Sequence, residues 1–177
     1  MNIKSKSEGF TLIEMLLYIG IIAIMLATLL SFSLQMLASS AKSQTDQTVY
    51  SEERYATERL TYEIRNAAGV NVASSSFGVN LAASSTAMLS LSEASSPLNP
   101  TVFSVASGTF MVQQGTGAPI ALNSSSTQVT SLVFSNYSTG TYNNVGFLMN
   151  ISDSSTSTRN EYVASTTIEG SAEVRSK

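Results

Sequence analysis

The stretch GFTLIEMLLYIGIIAIMLATLL, residues 9 to 30, is an almost continuous apolar run with one carboxylate, Glu14, near its start. No charged residue follows from Met15 to Ala41. A run of this length exceeds the roughly 20 apolar residues that cross a ~30 Å hydrocarbon core. The core helix of a soluble protein is the alternative, but such helices rarely extend so far without a charged face. The pattern therefore predicts a membrane-spanning helix.

The residues before this run indicate how the segment is processed. Lys4 and Lys6 form a short basic start, as in a secretory signal peptide. In such a peptide the cleavage site follows the apolar run, whereas here the junction between Gly9 and Phe10 precedes it. Cleavage at this junction leaves the apolar helix on the mature protein.

The segment KSKSEGFTLIEMLLYIGIIAIML, residues 4 to 26, resembles the leader and amino-terminal methylation motif of type IV prepilins. In that family a prepilin peptidase cuts after a glycine, which corresponds to Gly9, and methylates the new terminus, which corresponds to Phe10. A glutamate at the fifth mature position corresponds to Glu14. The resemblance implies three partners, namely the prepilin peptidase, other pilins or pseudopilins contacted through the amino-terminal helix, and membrane lipid before assembly.

Glu14 has a physical role to fill whatever the family, because a carboxylate in hydrocarbon costs several kcal/mol unless it is paired. Cleavage after Gly9 creates an amine at Phe10, four residues from Glu14 and so one helical turn away. A neighbouring subunit can offer the same amine, and the resemblance to pilins favours this pairing between subunits. The alternative is that Glu14 lies at the membrane interface and contacts headgroups.

The next part of the chain, residues 42 to 68, predicts an amphipathic continuation of the helix. Apolar residues recur at helical spacings and should form one buried stripe. Its members are Val49, Ala56, Leu60, Ile64 and Ala67. Two pairs of opposite charge are four residues apart, Arg54 with Glu58 and Arg59 with Glu63. We interpret this charge-rich stretch as a solvated face.

The remainder, residues 69 to 177, reads as short strands between clusters of Ser, Thr, Asn and Gly. Predicted strands cover residues 87–92, 101–106, 109–114, 119–123, 129–138, 145–152 and 161–169. Hairpin turns are predicted at Ser107-Gly108 and at residues 115–118. The expected fold is α+β, in which a long amino-terminal helix packs on a head made of a meandering antiparallel sheet. The expected domains are a leader at 1–9, an assembly helix at 10–41, its amphipathic half at 42–68 and the β head.

Composition excludes several classes of function. The chain has no Cys and no His, which removes disulfides, zinc-finger ligand sets and imidazole-dependent catalysis. Its net charge is −3 without a basic cluster, so we expect no direct contact with nucleic acid. Glu93, Asp153 and Glu161 are separated by turn-rich sequence, and we interpret each as a solvated acid. We expect no enzymatic activity, no catalytic residue, no metal and no cofactor.

The expected function is that of a structural subunit of a type IV pilus or a type II secretion pseudopilus. The segment ERLTYEIRNA and the late Arg175 are loosely similar to PilW-like minor pilins and J-type pseudopilins. The absence of a proline in the span and of a cysteine-bounded loop favours a minor subunit. A major pilin and a membrane-anchored adhesive head are the alternatives. The expected location is a single pass through the inner membrane, with the head outside the cytoplasm, and later the filament.

Overall fold

The computed structural model describes residues 9–139 and 143–175. Most of the expected leader, with Lys4 and Lys6, lies outside the described residues. The chain divides into two compact units, Met1–Ser40 and Ala41–Lys177. One long helix, α1 (Leu12–Asn66), contributes to both units, and every strand belongs to the second. This α+β layout of a long amino-terminal helix and antiparallel sheets confirms the predicted fold class.

The first unit consists of the apolar part of α1. Every large apolar side chain from Phe10 to Leu37 is at least 47% exposed within the protein. A helix in a soluble core buries such side chains, at roughly 1.5–3 kcal/mol for each one. The apolar surface of this unit is therefore not buried by the protein itself.

The second unit contains two antiparallel sheets. The first sheet has the order β1-β2-β3-β4-β5 and the second has the order β6-β7-β8. The strands of the first sheet are β1 (Gly69–Val70), β2 (Met88–Ser92), β3 (Thr101–Ala106), β4 (Thr109–Gln114) and β5 (Ile120–Ala121). Those of the second are β6 (Thr127–Asn136), β7 (Asn144–Asp153) and β8 (Ser165–Glu173). Short 3-10 turns lie at Val72–Ser74, Leu81–Ala83, Ser96–Leu98 and Asn160–Tyr162.

The helix joins the core through the predicted stripe. All five of its members are buried, and Ala56, Leu60 and Ile64 have no exposed surface. The inward faces of both sheets complete the core, in which the rings of Phe103 and Phe110 stack with centroids 5.6 Å apart. The helical periodicity in the sequence therefore identified correctly the face of α1 that supports the head.

The predicted hairpins are confirmed. Ala106 pairs with Thr109 across a two-residue turn, and both Ser107 and Gly108 have positive φ values of 50° and 78°. Two positive φ values characterise the turn whose twist matches that of antiparallel strands. β5 then pairs back onto β4 after the turn at residues 115–118, as expected.

The expectation of one continuous sheet is wrong, because the meander is interrupted after β5. The buried Asn123 ends the first sheet: its Oδ1 accepts a 2.7 Å hydrogen bond from the Phe110 N–H, and its Nδ2 donates a 2.9 Å bond to the Thr127 carbonyl. The side chain thereby replaces the ladder bond that a longer β5 would make to Phe110 of β4, and it connects this edge to Thr127 at the start of β6. The predicted last strand, residues 161–169, also begins too early, since Asn160–Tyr162 forms a 3-10 turn and β8 begins at Ser165.

Candidate functional site

The junction between Gly9 and Phe10 lies just before α1 begins. A Cβ atom at Gly9 would meet no other atom within 4 Å, and Phe10 is 70% exposed. The Phe10 ring makes an edge-on contact with Tyr18, with centroids 6.2 Å apart. Nothing in the described part of the chain covers the bond between these two residues, so a processing enzyme has access to it.

Glu14 lies in the first turn of α1, with Thr11 immediately before the helix. The backbone N–H of Glu14 donates to the Thr11 carbonyl at 3.1 Å and to its Oγ1 at 3.3 Å. Thr11 therefore caps the helix, and a carboxylate in the first turn interacts favourably with the helix dipole. Thr11 is not among the residues predicted above, although a threonine three residues before a glutamate has the spacing of a capping box.

Glu14 makes no ion pair with any cation among residues 9–139 and 143–175. Three hydroxyl groups further along the apolar helix are paired internally. Thr28, Ser31 and Ser33 each donate to a carbonyl three or four residues earlier, at 2.9 to 3.1 Å. Such internal bonds suit a helix in an apolar solvent, where a free hydroxyl is costly. Glu14 is thus the charged group of this segment that needs a partner from elsewhere.

The charge pairs predicted on the second half of α1 both form. Arg54 Nε lies 2.7 Å from Glu58 Oε1. The pKa of Arg54 is raised, mainly by this hydrogen bond and secondly by the negative charge of Glu58. Arg59 Nη2 lies 2.5 Å from Glu63 Oε1. The interpretation of this whole stretch as solvated is wrong at Glu63, whose side chain is only 6% exposed.

Glu63 is buried because the first sheet covers it. Gln114, at the end of β4, donates a 3.0 Å hydrogen bond from its Nε2 to Glu63 Oε1. Glu93 follows β2 and has a buried Oε1 without a hydrogen-bond partner in the described residues. Burial, and next the negative charge of Glu63, raise the pKa of Glu93. Glu93 is therefore not the solvated acid that the sequence suggested.

The other two isolated acids are also used structurally. Glu161 pairs with Arg159 and has a side chain only 15% exposed, which corrects its interpretation as solvated. Asp153 accepts a 2.8 Å hydrogen bond from the Ser155 N–H. Within the described ranges, no three potential metal ligands come together.

A helix long and apolar enough to cross a membrane, by length and composition, followed by an antiparallel β head, defines an α+β protein with a pilin-like layout. Its most apolar 18-residue window has a mean hydropathy of 2.4. Residues 4–30 match the family model of the prokaryotic N-terminal methylation motif. The chain thus carries a type IV pilin-type motif, which confirms the predicted resemblance and supports a pilin-like structural subunit.

The motif also implies processing by a prepilin peptidase and assembly with other pilins. Neither the curated proteins nor the solved structures gave a match to the chain.

Proposed function

We propose that this protein is a minor subunit of a type IV pilus or of a type II secretion pseudopilus. The prepilin peptidase cleaves it after Gly9 and methylates the new amino terminus at Phe10. Before assembly, residues 10–41 span the inner membrane and the head lies outside the cytoplasm. The subunit then leaves the lipid by packing its helix against those of other subunits.

The observation that carries this proposal is the exposed apolar surface of α1 between Phe10 and Leu37 in a segment that also matches the methylation motif. Lipid and the helices of other subunits are the two environments that can cover such a surface. A filament built from amino-terminal helices exchanges the first for the second. The hydrophobic surface therefore needs no water-exposed intermediate state during assembly.

Glu14 gives this exchange a direction. A carboxylate is costly in lipid, and the methylated amine of Phe10 on an adjacent subunit can neutralise it within the filament. Glu14 has no side-chain cation as a partner among the described residues, which leaves the Phe10 amine created by cleavage as its counter-charge. We assign this pairing principally to the amine of an adjacent subunit, so that it favours the assembled state over the free one. We assign assembly, and no catalysis, to Glu14.

The experiment that tests the proposed function is the intact mass of the protein isolated from membranes of a host with a prepilin peptidase. We expect a chain that begins at Phe10 and carries one additional methyl group. The matched control is the same protein made in a host without the peptidase, which should retain residues 1–9. A full-length, unmethylated chain in both hosts would contradict the proposal and favour an anchored head with an uncut signal.

A further inference from the structure

A surface groove of about 460 Å³ lies in the head unit beside the last turns of α1. Tyr62, Arg65 and Arg175 contribute to its lining. The backbone N–H of Arg175 donates a 3.2 Å hydrogen bond to the Arg65 carbonyl, which holds the chain after β8 against the end of the helix. Two arginines far apart in sequence thus line one groove.

The charges of this groove differ from those elsewhere on the protein. The other Lys and Arg side chains of the described residues each pair with a carboxylate. These pairs are Lys42 with Asp46, Arg54 with Glu58, Arg59 with Glu63 and Arg159 with Glu161. Arg65 and Arg175 pair with no acid in the described ranges. Among the described residues, the two cations without an acidic partner therefore share one groove, whose acidic lining residue, Glu58, is already paired with Arg54.

The remaining lining contains Glu58, whose charge is matched by Arg54, and otherwise suits contact with a protein. Tyr62 is 59% exposed, and the guanidinium group of Arg59 lies 5.9 Å from its ring centroid. Thr57 contributes a buried Oγ1 that has no hydrogen-bond partner among the described residues. Tyrosine and arginine are enriched among the residues that dominate the energy of protein interfaces. An exposed tyrosine and two arginines provide apolar contact and charge in the same place.

We propose that the Arg65–Arg175 groove docks an acidic side chain from the head of a neighbouring pilin-like subunit. This inference rests on the proposed function, because it requires assembly with other subunits. The planar guanidinium group matches a carboxylate with two parallel hydrogen bonds, and the Tyr62 ring covers the apolar stem of the incoming side chain. The groove determines which subunit sits beside the head, while the apolar helices supply the common assembly contact.

The test compares incorporation of full-length variants into filaments or into complexes recovered by cross-linking with partner pilins. The double variant Arg65→Glu/Arg175→Glu should reduce recovery of the neighbouring subunit at least about tenfold, as expected when charges at an interface centre are reversed. Lys42→Glu/Arg159→Glu is the matched control, since it makes the same total change of charge at two residues of the head unit outside the groove lining. We expect its recovery to remain within about twofold of the parent protein.

A milder double variant, Arg65→Gln/Arg175→Gln, guards against loss of folding and is checked by its thermal unfolding temperature. Recovery of the parent complex should fall as salt rises from about 0.05 to 0.5 M, because added ions screen exposed pairs. The glutamine variant should start lower and show little of this dependence. Parent-like recovery and salt dependence in the folded glutamine variant would overturn the groove as a docking site.

Failure of the inference is distinguishable from failure of the proposed function. If the parent protein is cleaved, methylated and incorporated, and both double variants are incorporated equally well, the groove proposal alone is wrong. If the parent protein is neither cleaved nor incorporated, the proposed function is wrong. If phosphate and chloride release the partner equally at the same ionic strength, screening alone explains the release, and this result counts against a specific anion-binding groove. Stronger release by phosphate than by chloride supports a specific anion-binding groove.

Discussion

Arg59 places its Nη2 2.5 Å from Oε1 of Glu63, one helical turn further along α1, and the same oxygen accepts the hydrogen bond from Gln114. The carboxylate therefore joins the helix to the first sheet at a position that the sheet covers. The Nε of Arg59 is buried without a hydrogen-bond partner in the described chain. Glu63 is therefore the carboxylate that compensates the positive charge of Arg59.

Replacement of Glu63 by alanine should destabilise the head. It removes the acceptor for Gln114 and leaves the charge of Arg59 unpaired. Because the Arg59 side chain is 35% exposed, we expect about 2 kcal/mol, less than the 3–5 kcal/mol found for fully buried pairs. Denaturant unfolding of the full chain in detergent measures the loss. Glu58→Ala, at the more exposed pair, is the control and should cost under about 0.5 kcal/mol.

Glu93→Gln should stabilise the head at neutral pH and abolish part of its pH dependence. Burial and the negative charge of Glu63 raise the pKa of Glu93, with a smaller opposing effect of Thr101, so the folded state favours the protonated form. Its contribution to stability is full below the pKa of the unfolded chain and is lost as the pH rises through the folded pKa. The gain at pH 7 should be below about 1 kcal/mol and should shrink in acid.

Thermal unfolding of the parent and Glu93→Gln proteins, measured from pH 7 into acid, checks the expectation. A difference in unfolding temperature that grows towards acid pH would have the wrong sign for a raised pKa. Asp153→Asn serves as a control for the loss of one negative charge outside this helix–sheet contact.

Two glycines in the second sheet should respond differently to alanine. A Cβ at Gly170 would lie 2.5 Å from Cζ of Phe147, a buried ring, so we expect a loss of about 1 to 3 kcal/mol. A Cβ at Gly146 would lie 2.3 Å from Cε2 of Tyr137, but this ring is 57% exposed and can move into solvent. Denaturant unfolding should therefore rank Gly170→Ala as the less stable variant, and the reverse order would contradict this account.

Sequence patterns predict the parts of this structure that depend on neighbouring residues. The buried stripe and the Ser107-Gly108 turn depend on neighbours within a few residues, so periodicity and turn chemistry identified them. The burial of Glu63 depends on Gln114, 51 residues later, and no local pattern reports that contact. Similarly, the end of the first sheet depends on the side-chain bonds of Asn123, whereas a strand pattern predicts a strand but not its partner.

The candidate site divides along the same line. The methylation motif and Glu14 lie in one contiguous segment, which explains why the sequence alone predicted them. The groove combines Arg65 with Arg175, two residues that only the folded chain brings together. These two arginines differ from the other cations of the described residues because those cations pair with acids of the same chain.

Gly9→Leu should block removal of the leader, because the enlarged side chain alters the residue that precedes the proposed cleaved bond. We expect the full-length precursor to accumulate in the membrane, since the apolar helix is unchanged. An immunoblot with a carboxy-terminal tag separates precursor from mature chain. Gly69→Leu is unsuitable as a control because it lies in β1, whereas Ser7→Leu tests whether a bulky residue anywhere in the leader has this effect. Normal processing of Gly9→Leu would exclude the assigned site.

Glu14→Ala and Glu14→Gln should reduce assembly while leaving the head folded. Both remove the negative charge that would neutralise the amine of Phe10 on an adjacent subunit, and breaking a buried pair costs of order 3 to 5 kcal/mol. Cross-linking to partner pilins measures assembly, and thermal unfolding monitors the head. Glu14→Asp keeps the charge and should retain more assembly than the glutamine variant. Incorporation of all three variants at the level of the parent protein would assign Glu14 to the membrane interface instead.

The hydrogen bond from the Arg175 N–H to the Arg65 carbonyl closes the head without a covalent link. Since the chain contains no cysteine, this closure is complete without an oxidant or a thiol isomerase. The absence of cysteine therefore removes disulfide exchange from the folding of the head. It also leaves the protein free of background thiols, so a single cysteine introduced beside the groove becomes a unique chemical handle for mapping the neighbouring subunit.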